Sequence, residues 1–231
     1  MTTDTKAMYQ PRYMGLPTFM RAPFTDTADG LDIAMIGVPY DGGVTNRPGA
    51  RHGPRELRNA SSMMRRLHPV TRKSPYDHCK IADIGDVPFN SVYSPAKTND
   101  EITAFFNRVV DAGARPLTAG GDHSITYPIL KAVARDEPVA LIHFDAHCDT
   151  WDEFQGSKFN HGAPFRRANE DGLIDPKKTL QIGIRGSQII PEGWDYSESA
   201  GMRVIFMHDV DEIGIDGIVR ECRKLVGDQR V

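Results

Sequence analysis

Leu141-Ile-His-Phe-Asp-Ala-His-Cys-Asp-Thr150 is the stretch from which the rest of this sequence is read. An apolar run over residues 139–144 closes on three metal-ligating side chains at alternate positions, Asp145, His147 and Asp149. Residues two apart on an extended backbone face the same side. A strand ending this way aims two carboxylates and one imidazole at one point. Upstream, Ala119-Gly-Gly-Asp-His-Ser124 sets a second imidazole, His123, directly after another short apolar run. Together these residues describe a carboxylate-rich metal centre.

Outward from that stretch, strand and helix signals alternate from residue 33 onward. Residues 33–38, 81–84, 116–119, 139–144, 180–184 and 203–206 read as strands. Residues 54–67 read as a helix, with Pro54 suited to a first helical position. Thr98-Asn-Asp-Glu101 has capping-box spacing and predicts the start of a helix carrying Phe105, Phe106, Val109 and Val110. Ile125, Ile129 and Val133, at steps of four, mark a helix after Ser124, and residues 215–226 predict a last one.

This alternation predicts an α/β fold with a mostly parallel sheet covered by helices on both faces. Right-handed crossovers bring the C-terminal strand ends to one edge, where ligands bind in open sheets. His123 and Asp145 each follow a strand, with one helix between them, so that edge is expected to receive both. Residues 1–30 carry Pro11, Pro17 and Pro23 without a period and predict an arm lying on a neighbour or on the core; residues 31–231 predict one domain.

A chain of 231 residues is long enough for one α/β core, and 39% apolar with 26% charged residues is ordinary for a globular protein. A net charge of −3 with scattered Lys and Arg leaves no footprint for nucleic acid. The short basic cluster of Arg65, Arg66, Arg72 and Lys73 reads as a solvated helix end. Three widely spaced cysteines, Cys79, Cys148 and Cys222, argue against a disulfide framework and a structural zinc site. A polar start and no apolar run near the ~18 residues of a membrane span predict a cytoplasmic chain without a membrane partner.

Asp145, His147 and Asp149 offer oxygen and nitrogen, while Cys148 between them is expected to face away. Hard carboxylates with imidazole suit Mn²⁺, Mg²⁺, Fe²⁺ or Ni²⁺. Polar residues at a strand end that merely meet solvent are the plain alternative, and the Gly-Gly-Asp-His stretch upstream weighs against it. Asp122 is expected to orient a ligand or to cap the following helix. His143, inside an apolar strand, reads as a hydrogen-bonded core residue, and His52 as one that fixes a loop.

Gly120-Gly-Asp-His-Ser124 and Phe144-Asp-Ala-His-Cys-Asp149 resemble two signature motifs of the ureohydrolase family, the arginases, agmatinases and guanidino-acid hydrolases. The resemblance extends to Gly37-Val-Pro-Tyr-Asp-Gly-Gly43, Gly49-Ala-Arg-His-Gly-Pro-Arg-Glu56, His161-Gly-Ala-Pro-Phe165 and Gln181-Ile-Gly-Ile-Arg-Gly186. Leu16-Pro-Thr-Phe-Met-Arg21 and Asn46-Arg-Pro-Gly-Ala-Arg-His-Gly-Pro54 lean to the agmatinase and guanidino-acid branch.

The resemblance implies a three-layer αβα arginase-like fold and hydrolysis of a small, agmatine-like guanidino compound to urea and an amine. It implies two Mn²⁺ ions sharing a hydroxide, with His123, Asp145 and Asp149 on one ion and Asp145 bridging to a second that His147 also binds. His161 would line the substrate cleft and move protons, Phe159 would contact the substrate's chain, and the assembly would be a homo-oligomer, trimer or hexamer. Guanidinobutyrate or guanidinopropionate are alternative substrates.

One departure matters. The family carries a further Ser-x-Asp-x-Asp motif, followed by an Asp-Pro loop, on the strand after the helix that matches residues 215–226. The sequence closes on Gly227-Asp-Gln-Arg-Val231 where that strand is due. The expectation is therefore a C-terminally truncated arginase-like fold, with three ligands for one ion and two for the other when Asp145 is counted in each. A non-catalytic paralogue, a subunit or a gene fragment remain alternatives to an active hydrolase. Asp209 and Asp211 follow a different strand and are not read as replacements.

Overall fold

The computed structural model describes residues 10–231, so the first nine residues of the expected arm lie outside the described residues. The chain divides into two compact units, one taking residues up to 42 and 46–125, the other residues 43–45 and 126–231.

In the first unit the elements run β1 (Ile33–Val38), α1 (Gly53–Ser61), β2 (Ile81–Asp86), α2 (Pro95–Asp111) and β3 (Arg115–Gly120). The three strands are parallel in the order β2-β1-β3. β1 is central and buried on both faces from Ala34 to Val38, which is why its sequence is a continuous apolar run rather than an alternation. On α2, Ile102, Phe106 and Val109 are buried at helical spacing.

Helix α2 opens a turn before the expected capping box. Ser94 precedes it and Pro95, with its preset φ, starts it. The Thr98 hydroxyl donates to the Ser91 carbonyl at 2.9 Å and the Glu101 carboxylate accepts the Asn90 N–H at 3.1 Å, so both pin the preceding loop. Helix α1 stops at Ser61 rather than continuing to residue 67. Met63, Met64 and Leu67 are exposed, and a helix whose apolar residues find no packing partner gains little by continuing.

The described part of the arm lies on its own unit. Phe24 bridges to Asp83 of β2, and the Asp83 N–H donates to the Pro23 carbonyl at 2.9 Å. The buried Asp83 carboxylate accepts the Phe19 N–H at 2.9 Å, the Gly85 N–H at 2.9 Å, and two guanidinium bonds from Arg58 at 2.8 and 3.0 Å. The Arg58 guanidinium also covers the Phe19 ring, 4.1 Å from its centroid. One ion pair thus ties arm, α1 and β2 together.

In the second unit the order is α3 (Thr126–Val133), β4 (Val139–Phe144), α4 (Pro164–Glu170), β5 (Ile174–Ile184), α5 (Glu192–Ala200), β6 (Arg203–Phe206) and α6 (Met207–Val226). Its strands are parallel in the order β4-β5-β6. Leu130, Val139, Phe165, Ile174 and Met202 form one core cluster, and Ala140, Leu180, Ile205 and Ile218 another. Gly214, at φ 69, breaks α6, so the helix expected over 215–226 is its second part. Asp209 accepts the Phe206 N–H at 3.3 Å, which gives it a capping role at the first part. Beyond α6 the chain returns to β4, where the Ala140 N–H donates to the Arg230 carbonyl at 2.8 Å. Among the described residues no helix is long and apolar enough to cross a membrane.

Two predictions follow from the first unit's buried polar groups. Arg58→Ala leaves Asp83 buried without its cation, a change that costs about 3–5 kcal/mol for pairs of this kind. Urea unfolding of the variant is expected to show that loss, and an unchanged midpoint would sink the assignment. The second concerns Asp41, a buried carboxylate that accepts the Arg51 guanidinium, the Gly49 N–H at 2.7 Å and the Arg51 N–H at 3.3 Å. The Arg51 guanidinium first, and the Gly49 amide after it, hold the Asp41 carboxyl down at about 2. A folded pKa below the ordinary ~3.9 stabilises fully above pH ~4 and is lost as pH falls through about 2. Hydrogen-exchange protection of the Gly49 and Arg51 amides is therefore expected to be flat above pH ~4 and to decline below it. Asp41→Asn should abolish that dependence.

Candidate metal centre

β4 ends at Phe144, and the next residue still pairs, with the Asp145 N–H donating to the Ile182 carbonyl at 3.1 Å. The chain then leaves the sheet as a loop held by its carbonyl oxygens. Ala146 O accepts the Arg185 and Gly186 N–H groups at 2.9 and 2.8 Å. Cys148 O accepts the side-chain amide of the fully buried Gln181 at 2.6 Å. Asp149 O accepts the Phe165 N–H at 3.1 Å. A Cβ on residue 186 would run into the His147 ring, so the glycine that ends the 181–186 motif makes room for that imidazole.

With the loop's carbonyls committed to these donors, its acidic side chains come together. Ligand atoms of His143, Asp145 and Asp149 lie within 4.8 Å of one another. His143 and Asp149 are buried and Asp145 is half-buried. Asp145 Oδ2 stands 3.6 Å from His143 Nε2; its Oδ1 accepts the His147 N–H at 2.9 Å and stands 3.6 Å from His147 Nδ1. Asp145 therefore offers one oxygen to each of two imidazoles.

His147 is exposed and lies outside the group of three. The period of two that links Asp145, His147 and Asp149 holds only while the backbone is extended, and Asp149 sits at φ 52 in the left-handed region. Aspartate tolerates that region better than most residues. His143 is buried as expected, its ring 4.4 Å from that of Phe165, and its imidazole also faces Asp145. Counting back two residues from Asp145 along the strand is the signal that points to it.

Two carboxylates this close together, with imidazoles beside them, fit a hard divalent ion. Cys148 does not compete. It packs with Ile184 and Val204 away from the group, and burial pushes its thiol up to about 11, keeping it protonated.

His161 and Phe159 sit on a loop of the same unit. Asn160 braces it, its amide donating to the Ser157 carbonyl and its carbonyl accepting the Gly162 N–H, both at 3.0 Å. His161 Nδ1 lies 3.0 Å from the Gly43 carbonyl, which also accepts the His161 N–H at 2.9 Å. A carbonyl only accepts, so Nδ1 carries the proton and the neutral ring keeps Nε2 as its acceptor. Phe159 stacks on Tyr127 with centroids 6.1 Å apart.

In the first unit, His123 heads a 3-10 turn, His123–Ile125, directly after β3. Gly121 is required there. At φ +68 it lies so close to β1 that a Cβ would fall on the Val38 carbonyl and 2.6 Å from the Tyr40 carbonyl. Of the two roles expected for Asp122, the geometry gives the cap: its carboxylate accepts the Ser124 N–H at 2.7 Å while its own N–H donates to Tyr40 O at 2.8 Å. β3 and β4, the strands that precede His123 and Asp145, are hydrogen-bonded into separate three-stranded sheets among the described residues.

The arginase family model matches residues 31–231. A guanidinopropionase of Pseudomonas aeruginosa is 49% identical over 219 residues, 94% of this chain and 68% of its own length. A human mitochondrial guanidino acid hydrolase is 44% identical over 94% of this chain and 61% of its own length. The chain thus spans 61–68% of the length of these relatives. Among solved structures, proclavaminate amidino hydrolase from Streptomyces clavuligerus superposes with a TM-score of 0.91 at 36% identity, over 95% of this chain and 73% of that one. The parallel strands, the motif order and these likenesses agree: the chain has the arginase-like α/β fold and belongs to the arginase family.

Proposed function

We propose that this protein is a metal-dependent hydrolase of a small guanidino compound, producing urea and an amine. The observation that carries the reading is Asp145, whose two oxygens face two different imidazoles with the Asp149 carboxylate close by. A carboxylate with one oxygen to each side is suited to being shared by two ions. His123, Asp145 and Asp149 would hold one Mn²⁺, and Asp145 with His147 would hold a second. Bound there, such a pair supplies Lewis acidity and an acidified water at neutral pH.

The chain's own residues do the rest. His161 has its Nδ1 proton committed to Gly43 O, so its Nε2 takes a proton and hands it to the departing amine. The stacked Phe159 and Tyr127 rings give a substrate's methylene chain an apolar surface. The loop sequences around Asn46 and His161 favour agmatine or a short guanidino acid over arginine, with an agmatine-like compound as the first reading. A carboxylate-tailed guanidino acid is the second reading, supported by the 49% identity to a protein named guanidinopropionase.

A urea-release panel on the Mn²⁺-loaded protein tests this, with agmatine, guanidinopropionate, guanidinobutyrate and arginine as substrates. Agmatine or a guanidino acid is expected to lead, and arginine as the best substrate, or no urea from any, would refute the reading. Metal analysis is expected to show that Asp145→Ala loses more Mn²⁺ than Asp149→Ala. His161→Asn is expected to keep its metal while kcat falls by roughly 10²–10⁴, the usual worth of a general acid or base.

A further inference from the structure

We infer that His143 is a positioning residue for Asp145, fixing the carboxylate from the side opposite His147. The inference rests on the metal-centre reading above and assigns a role to a residue outside that reading's ligands. His143 stands two residues before Asp145 on β4 and so shares its face of the strand. Its Nε2 lies 3.6 Å from Asp145 Oδ2, while Oδ1 is held by the His147 N–H at 2.9 Å. The carboxylate is thus tethered firmly at one oxygen and faced by an imidazole at the other.

At 3.6 Å the His143 contact is too long for a hydrogen bond. A shift of well under an ångström by the half-buried Asp145 side chain closes it. Each carboxylate oxygen has two lone-pair sites, so Oδ2 can accept from an imidazole N–H and still serve an ion.

The imidazole itself has little freedom to move. His143 is 6% exposed, and its ring lies 4.4 Å from that of Phe165 at an interplanar angle of 58°. Phe165 is 2% exposed, and its own N–H donates to the Asp149 carbonyl. The same phenylalanine therefore braces the backbone of one carboxylate and the imidazole that faces the other. A buried donor with a fixed ring, aimed at a carboxylate meant to ligate, is an arrangement that orients a ligand from behind. His143 acts through Asp145 and makes no bond to the ion or the substrate.

Titration calorimetry of Mn²⁺ into the parent chain, His143→Leu and His143→Gln tests the assignment, with far-ultraviolet circular dichroism confirming that each is folded. Loss of such an outer partner typically costs about 10–100-fold in metal affinity, and His143→Leu is expected to fall in that range. His143→Gln keeps an N–H donor and is expected to recover an affinity near the parent's. The electronic spectrum of the Co²⁺-loaded protein should be the same for parent and His143→Gln, since the ion's own ligands do not change.

A folded His143→Leu with parental affinity overturns the inference. So does a His143→Gln variant as weak as His143→Leu with a shifted Co²⁺ spectrum, which would make the imidazole a direct ligand. If His143→Leu does not fold, the affinity and spectrum of His143→Gln alone decide between the same two results. Asp145→Ala is the control for the underlying reading. Parental Mn²⁺ binding by that variant removes the metal centre itself, and the role of His143 with it.

Discussion

The arrangement at the end of β4 depends on where backbone carbonyls go. Ala146, Cys148 and Asp149 each have their carbonyl oxygen tied to a donor on β5, on the loop after it, or on α4. Backbone groups buried without partners are costly, so a loop leaving a sheet must find replacements for the ladder it gives up. Here the replacements come from the Gln181–Gly186 stretch and from Phe165. Once the carbonyls point toward those donors, the side chains of Asp145 and Asp149 are directed elsewhere, together and toward His143. Gln181 and Gly186 thus serve the centre without supplying a ligand atom: one holds the Cys148 carbonyl and the other leaves space for the His147 ring.

The first unit uses buried charge to hold its own segments together. Asp83 gathers the Phe19 amide, the Gly85 amide and the Arg58 guanidinium, and so fastens the arm to β2. Asp41 gathers the Gly49 amide and the Arg51 side chain just beyond β1. Asp83 lies within β2 and Asp41 just beyond β1, and both are almost fully buried. What distinguishes them from Asp145 is the kind of partner. Each is matched by a guanidinium, whereas Asp145 faces imidazoles, which are good metal neighbours and weaker counter-charges.

Family membership was legible early because the motif residues are contiguous. Gly-Gly-Asp-His and Asp-Ala-His-Cys-Asp each follow a short apolar run, and a run of that length before a polar break reads as a strand end in any α/β chain. The strands were found where the apolar runs are, as with residues 33–38 and 139–144. Boundaries were less secure where capping chemistry had two outlets. Thr98 and Glu101 have the spacing of a cap, yet both bond to the loop before α2 because Pro95 had already begun the helix.

Sequence by itself determined the α/β class, the parallel strands, the arginase-family motifs and the short list of donors, since all of these rest on local period and residue type. Tertiary structure alone decided which donors converge. A period of two requires an extended backbone, and the left-handed turn at Asp149 ends it, so that residue meets Asp145 by way of the loop's hydrogen bonds and not by strand alternation. The inward turn of His143 toward Asp145 was likewise fixed by packing against Phe165, a residue that lies beyond the intervening loop in the chain. Contacts of that kind depend on how distant segments fill one another's space, which no local pattern encodes.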